Sequence, residues 1–246
     1  STPKPSSAAS DVYKRQVQKP TPRIDFNMIE IRNITKSFVS PKSGRRFIFR
    51  DFSCVIPSGR NVALIGRNGA GKSTLMRMLC GQDAPDSGKI ISEKTISWPV
   101  GLSGGFQGSL TGRENVKFVC RVQGASPERM RDMVREVEAF SDIGDYFDMP
   151  VKTYSSGMRG RVAFGLSLVF DFDYYLVDEA ISVGDAHFRD KAAKALRDRV
   201  GVSNLILVTH GMGQVRTMCD YVIYLKDGKA IPYEDVEEGI AAYQRG

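Results

Sequence analysis

Apolar runs typical of strands and apolar spacings typical of helices alternate along most of the chain. In Met28–Ile34, apolar and polar residues alternate as they do in a half-buried strand. Asn61–Ile65 is a short apolar run that leads into glycines, and Lys72–Cys80 carries apolar residues at helical spacing. Strand, glycine loop and helix are therefore contiguous, which predicts the opening of an α/β core.

The second half of the chain continues this alternation. The predicted elements are the helices Gly157–Phe170, Ala186–Val200 and Met212–Met218 and the strands Tyr174–Asp178, Leu205–Thr209 and Tyr221–Leu225. Strands that alternate with helices form βα units, so the pattern predicts a mostly parallel core sheet. A strand pair over Tyr221–Lys229 and a short helix near Glu234–Gln244 follow.

Two regions depart from this βα pattern. Met28–Ser58 contains short strands and a turn at Pro41, Ser43 and Gly44, which predicts a small antiparallel β-subdomain. Thr111–Gly144 contains two helical stretches, the second with apolar residues on one face. We expect a helical subdomain at about 111–170 within a single domain over 28–246.

Residues 1–27 are rich in Ser, Pro, Ala and Lys and have no apolar periodicity. They are expected to be a disordered tail or a sequencing artefact, because Asp11–Gln16 resembles the translation of a transposon end used in DNA library preparation. Met28 has the appearance of a natural start. The segment before it contributes nothing to the fold prediction.

The composition is that of a globular protein and does not by itself indicate a particular function. The chain has 246 residues, of which 41% are hydrophobic and 26% charged, as in ordinary globular proteins. Its longest apolar stretch, Val162–Phe170, is about half of the roughly 20 residues needed to cross a bilayer. The four cysteines, Cys54, Cys80, Cys120 and Cys219, lack metal-type pairing and are expected to be reduced thiols.

Of the net charge of +7, the first 27 residues carry +3 and the part from Met28 onward carries only +4. This distribution lacks the concentrated basic patch that is typical of nucleic-acid-binding proteins, so no nucleic-acid partner is expected.

A glycine-rich motif is the first feature that points to chemistry. Gly66–Ser73 reads GRNGAGKS and fits the P-loop (Walker A) pattern G-x-x-x-x-G-K-S/T between a predicted strand and a predicted helix. In such a loop the backbone N–H groups wrap phosphate oxygens, the lysine neutralises β- and γ-phosphate charge and the serine binds Mg²⁺. The residues predicted to bind the nucleotide are Gly66, Asn68, Gly69, Ala70, Gly71, Lys72, Ser73 and Thr74.

Two acidic residues end the predicted strand Tyr174–Asp178. Asp178 can hold Mg²⁺ through water, and Glu179 can polarise an attacking water. Adjacent acids at this position favour hydrolysis over phosphoryl transfer to another substrate.

A third motif, Tyr154–Met158, opens a predicted helix with hydroxyl groups and a glycine. Together, the three motifs resemble, in content and order, those of the ATP-binding-cassette family, and the resemblance extends from Met28 to about Gly228. The third motif resembles the family's signature loop L-S-G-G-Q but departs from it at three of five positions, keeping Ser155 and Gly157. The resemblance implies a P-loop ATPase fold and ATP and Mg²⁺ as ligands.

The resemblance also implies roles for residues outside these motifs. Phe38 lies where the family places an aromatic ring that stacks on adenine, with Phe47 as a second candidate and a core role as the alternative. His210 matches the switch histidine that contacts the γ-phosphate. Asp185 ends a stretch that matches the loop between two nucleotide sites, and Ala180 replaces the usual proline after the catalytic glutamate.

Gln107 is the candidate for the glutamine that contacts the metal and the attacking water. It lies 35 residues after Lys72 and four before Thr111, closer to the following helix than the family spacing implies. The alternative is a surface turn residue.

Within the family, Ser97–Pro99, Gly104–Gly112 and Tyr154–Met158 together resemble the ATPases of bacterial capsule-type polysaccharide exporters. The resemblance implies a head-to-tail homodimer in which each copy completes the other's ATP site. It also implies separate membrane permease subunits and a location at the cytoplasmic face of the bacterial inner membrane. The alternatives are another exporter of this family, for O-antigen, teichoic acid or lipid, and a non-transport ATPase of the same family.

Overall fold

The computed structural model describes residues 28–40, 44–178 and 185–246. The predicted tail, most of the predicted turn at Pro41–Gly44 and the residues Glu179, Ala180 and Gly184 lie outside the described residues.

The described residues fold into alternating strands and helices. The strands are β1 (Ile29–Ser40), β2 (Gly44–Ile56), β3 (Val62–Gly66), β4 (Ser87–Ile91), β5 (Ile96–Pro99), β6 (Tyr174–Asp178), β7 (Asn204–Val208), β8 (Tyr221–Lys226) and β9 (Lys229–Tyr233). The α-helices are α1 (Lys72–Leu79), α2 (Gly112–Val122), α3 (Pro127–Ser141), α4 (Ser156–Leu168), α5 (Ala186–Val200), α6 (Met212–Met218) and α7 (Val236–Arg245). Short 3-10 helices cover Gly144–Asp148 and Val151–Thr153.

The N-terminal strands form the predicted antiparallel sheet, with the order β2-β1-β4. Phe38 of β1 lies directly opposite Arg46 of β2. The apolar side chains of this sheet pack against α1 and the core sheet, in a cluster that includes Ile31, Phe49 and Leu75. Burial of these side chains fixes β2 beside the loop between β3 and α1.

The core sheet is mostly parallel, as predicted, with the order β5-β6-β7-β3-β8-β9. β9 alone among these described strands runs antiparallel to its neighbour. Leu64 of β3 and Asp178 of β6 both pair with Val208 of β7. The carboxyl ends of these three neighbouring strands therefore lie at one edge of the sheet, where ligands of open α/β sheets bind.

The helices α2, α3 and α4 share a hydrophobic cluster of their own, which includes Val116, Val137 and Val162. A second cluster joins α4, α5, α6 and α7 to the other face of the core sheet. The predicted helical subdomain thus corresponds to helices that pack on one another, and its exact limits stay a prediction.

Among the described residues, no helix has both the length and the apolar character to span a bilayer.

Candidate functional site

A cleft of about 430 Å³ opens at the carboxyl ends of β3, β6 and β7. This volume is within the range of small-molecule sites. The residues that line it are Arg46, Ile48, Asn68, Gly69, Gly71, Lys72, Ser73, Thr74, Asp178, Val208 and His210. The structure thus brings together the glycine-rich loop, Asp178 and His210, which are spread over more than 130 residues of chain.

The shape of the glycine-rich loop depends on backbone conformations that residues other than glycine adopt poorly. Gly69 and Gly71 have φ angles of 84° and 101°, in the left-handed region. A β-carbon at Gly71 would also collide with the Phe49 ring of β2. Glycine at this position lets β2 pack on the loop while α1 begins directly after it.

Lys72 is the first residue of α1 and is largely buried, with 8% of its surface exposed. Its ammonium group donates hydrogen bonds to the carbonyl oxygens of Gly66, at 2.6 Å, and Arg67, at 3.2 Å. The loop backbone thus holds the cation at the cleft, beside the helix N-terminus, where both charge and dipole attract an anion.

Ser73 and Asp178 both line the cleft, Ser73 from α1 and Asp178 from the end of β6. The described residues contain no cluster of three or more His, Cys, Asp and Glu side chains that could hold a metal ion. A hydroxyl and a carboxylate oxygen suit Mg²⁺, which prefers oxygen ligands, takes few of them from protein and completes its shell with water and substrate phosphates.

His210 follows β7 and lines the cleft with an exposed side chain. The preceding Thr209 is buried, and its hydroxyl accepts a hydrogen bond from the Gly211 N–H at 3.0 Å and donates one to Gln214 at 2.9 Å. These bonds fix the backbone on both sides of His210. The histidine is thereby held in the cleft by the residues around it.

Ser155 and Gly157 lie at the start of α4 and are not among the residues that line the cleft. Ser155 is exposed and caps the helix, accepting a hydrogen bond from the Met158 N–H at 3.1 Å. The preceding Tyr154 is buried, and its hydroxyl accepts a hydrogen bond from the Gly112 N–H at 3.1 Å. Burial raises the pKa of this phenol, so it stays protonated. The tyrosine anchors the segment that presents Ser155.

Asp185 also lies away from the cleft within its own chain. It caps α5 by accepting a hydrogen bond from the Phe188 N–H at 2.9 Å, and Arg161 of α4 donates to its carboxylate at 2.6 Å. The backbone hydrogen bond, followed by the charge of Arg161, lowers the pKa of Asp185. The carboxylate therefore joins α4 to α5.

The two adenine-stacking candidates occupy different positions. Phe38 is 40% exposed, and the Lys36 ammonium lies 5.2 Å from its ring centre. Phe38 pairs with Arg46, which lines the cleft, whereas Phe47 lines another cavity and has the Arg50 guanidinium 3.8 Å from its ring centre. Between the two, the geometry favours Phe38, which lies beside the cleft rather than in its wall.

Gln107 is exposed and does not line the cleft. Its backbone N–H and carbonyl bond to Asn115, at 2.8 and 3.1 Å, and its side-chain amide donates to Ser109 at 3.3 Å. The structure does not bring this side chain to Asp178 or Lys72, and its predicted contact with metal and water stays a prediction. Glu179, the predicted partner of the attacking water, lies outside the described residues.

Sequence reasoning missed three residues that line the cleft, namely Arg46, Ile48 and Val208. Arg46 and Ile48 belong to the antiparallel sheet and reach the cleft because β2 packs on the glycine loop. Because side chains of a strand alternate between its two faces, the sequence indicates that Arg46 and Ile48 share a face and that Phe47 lies on the other. It does not indicate which of the two faces of β2 packs on the loop.

The fold and the cleft define a P-loop nucleotide-binding protein of the ATP-binding-cassette type. The family model described as ABC transporter matches residues 49–182. The polysialic acid transport ATP-binding protein KpsT of Escherichia coli is 55% identical over 218 residues, which are 88% of this chain and 96% of KpsT. The ATP-binding protein BexA of Haemophilus influenzae is 39% identical over 88% of this chain and 98% of BexA.

A solved structure of the same fold is the ATP-binding cassette MJ0796, a dimer in a post-hydrolysis state bound to ADP and Pi. It superposes with a TM-score of 0.68 at 21% identity and covers 83% of this chain and 97% of the cassette. This chain belongs to the ABC transporter family and is an ATPase of that family.

Proposed function

We propose that this chain is the ATP-hydrolysing subunit of an ABC transporter that exports a capsule-like polysaccharide through a separate permease. The observation that carries the ATPase part is the cleft in which Lys72, Ser73, Asp178 and His210 meet. The cargo assignment rests on the 55% identity to KpsT along nearly the whole of both chains.

The side chains at the cleft have different roles in binding and hydrolysing ATP. Lys72, positioned by the Gly66 and Arg67 carbonyls, neutralises charge on the β- and γ-phosphates. His210 contacts the γ-phosphate and orients it. Glu179, one residue beyond Asp178, polarises the attacking water.

Ser73 and Asp178 would hold Mg²⁺, since their oxygens face the same cleft from α1 and β6. The bound ion would neutralise charge on the phosphate oxygens. The protein fixes the ion's position through two oxygen donors and leaves the other positions to water and ATP.

A second copy of the chain would complete the site. Ser155 and Gly157 lie at an exposed helix N-terminus outside their own cleft, so a head-to-tail partner can present them to the γ-phosphate. ATP then holds the two copies together, and hydrolysis weakens the contact. The family resemblance would place Asp185 near the boundary between the two sites in this arrangement.

The permease would bind the helical subdomain together with the Gln107 region. On α2, Phe118 and Val122 are one turn apart and are 58% and 67% exposed, so they form an apolar face. A protein bound to such a permease lies at the cytoplasmic face of the bacterial inner membrane. No nucleic-acid partner is proposed.

The proposal is tested in cells that carry this gene with its own permease, by locating the polysaccharide with and without Glu179→Gln. Surface polymer with the wild type and internal polymer with the variant are expected. Equal surface polymer in both strains would contradict the cargo and leave the O-antigen, teichoic acid and lipid alternatives, or a non-transport ATPase.

A further inference from the structure

Arg46 places a second cation, besides Lys72, in the cleft that the glycine loop and Asp178 also line. Its guanidinium lies 3.6 Å from where a β-carbon on Gly69 would stand. The side chain is exposed and has no ion-pair partner among the described residues. A cation that lines an anion-binding loop without a partner can be satisfied by a phosphate.

The position of Arg46 determines which part of the nucleotide its guanidinium can reach. Arg46 pairs with Phe38, the candidate for stacking on adenine, and its guanidinium also lies close to the loop at Gly69. Lys72 already accounts for the β- and γ-phosphates. The group between adenine and the β-phosphate is the ribose with the α-phosphate.

We infer that Arg46 is a further nucleotide-binding residue, whose guanidinium binds the α-phosphate of ATP and ADP from β2. The inference rests on the proposed function in that it requires ATP to occupy this cleft. It adds the antiparallel sheet to the elements that bind the phosphates.

The neighbouring Arg45 supplies a matched control. Successive side chains of a strand face opposite sides, and Arg45 does not line the cleft whereas Arg46 and Ile48 do. Both arginines are exposed and lie in the same strand. Arg45→Gln and Arg46→Gln therefore remove the same charge at adjacent positions, and only the second removes it from the cleft.

The experiment measures the dissociation constants of fluorescent ATP and ADP analogues for the wild type and the two variants. Arg46→Gln is expected to weaken ATP and ADP equally, by about tenfold, the size of one charge-assisted hydrogen bond. Arg45→Gln should stay within about twofold of the wild type, and Arg46→Lys should recover part of the loss because it keeps the charge. Unchanged melting temperatures without nucleotide confirm that the variants fold.

The inference would be overturned if Arg46→Gln and Arg45→Gln bound the nucleotide analogues with equal affinity while the wild type bound them normally. A loss confined to ATP would also overturn it, because it would place the guanidinium at the γ-phosphate. Failure of the proposed site itself has a different signature: Lys72→Ala would then bind ATP as well as the wild type does.

Discussion

Lys72 combines burial with charge, and a buried cation is stable only when its charge is compensated. The carbonyls of Gly66 and Arg67 contribute to this compensation, and the proposed phosphates would add to it. The position of this cation in the cleft therefore suits an anionic ligand.

Lys72→Ala should reduce steady-state ATP hydrolysis by at least about a hundredfold, because the β/γ charge loses its counter-ion in a sheltered site. Lys229→Ala, which removes an exposed lysine from β9, is the control and should leave the rate unchanged. Hydrolysis by Lys72→Ala at the rate of the control would show that the cleft is not the catalytic site.

Residues in contiguous motifs could be predicted from the sequence, whereas those that depend on sheet packing could not. The phosphate loop was predictable because its glycines, lysine and serine act through local backbone geometry. Arg46 reaches the cleft because β2 pairs with β1 and packs on Gly71 through Phe49, which local spacing does not encode. Gln107 was chosen by resemblance, and its hydrogen bonds to Asn115 hold it in a loop outside the cleft.

Asn115 is a buried residue that joins α2 to the loop before it. The side chain is 2% exposed and accepts a hydrogen bond from the Gln107 N–H at 2.8 Å. Its amide group donates to the carbonyls of Gln107, at 3.1 Å, and Thr111, at 2.9 Å. One buried side chain thus satisfies several backbone groups of the loop.

Asn115→Ala should lower the free energy of unfolding by roughly 2 to 3 kcal/mol, because buried backbone groups lose their partners. Asn115→Asp should also destabilise the protein, since a carboxylate can accept from Gln107 but cannot donate to the carbonyls. Urea unfolding measures both, with the exposed Gln123→Ala as control. A loss for Asn115→Ala no larger than that of the control would contradict this role.

Ser155→Arg should block ATP-driven dimerisation while a single copy still binds ATP, because the arginine would occupy the proposed interface at the start of α4. The substitution also removes a helix cap, which costs about 1 kcal/mol. Ser126→Arg is a matched control, since Ser126 caps α3 in the same way, accepting from the Arg129 N–H at 3.2 Å. Sedimentation with ATP distinguishes the two variants, and dimerisation of Ser155→Arg like that of the control would oppose the composite site.

Helices and strands with strong periodicity were predicted nearly at their observed limits, as α5 and β6 illustrate. β4 and β5 were not predicted, because Ser87–Ile91 and Ile96–Pro99 are short and carry few apolar residues. They form through pairing with β1 and β6. The 3-10 turn at Gly144–Asp148 likewise depends on packing of Phe147 among the helices.

For the whole molecule, ion pairs that join distant segments make stability depend on pH. Arg113 of α2 donates to Asp148 at 2.6 Å and to Glu138 of α3 at 2.6 Å. The hydrogen bond from Arg113 lowers the pKa of Asp148, and hydrogen bonds from Thr95 help to lower that of Asp173 despite burial. Several carboxylates of the folded protein are therefore more acidic than in the unfolded chain.

Because these pKa values are lowered on folding, their contribution is complete above the ordinary value of 3.8 and is lost as the pH falls through the folded values. The free energy of unfolding should fall steeply below about pH 4. Asp148→Asn should flatten the decrease, whereas Asp132→Asn should not, because Asp132 pairs with Arg135 inside α3 and, among the described residues, joins no other segment. Denaturant titrations at pH values from about 2 to about 7, in steps of about one pH unit, measure how steeply the free energy of unfolding changes with pH. Identical slopes for the two variants would contradict the assignment.

In the proposed dimer, two copies of the chain complete each other's ATP site. In each copy, Lys72 lies in the cleft and Ser155 lies outside it. Lys72→Ala and Ser155→Arg therefore damage opposite halves of the proposed site, and a mixed dimer has one site with both halves intact.

The most direct measurement is steady-state ATP hydrolysis by each variant alone and by an equal mixture. Each variant alone should be close to background. The mixture should rise clearly above both variants alone, towards about a quarter of the wild-type rate, because a mixed dimer has one arginine at its interface instead of two and has one of its two sites intact. A mixture that stays at background while the wild type hydrolyses ATP would contradict the shared site.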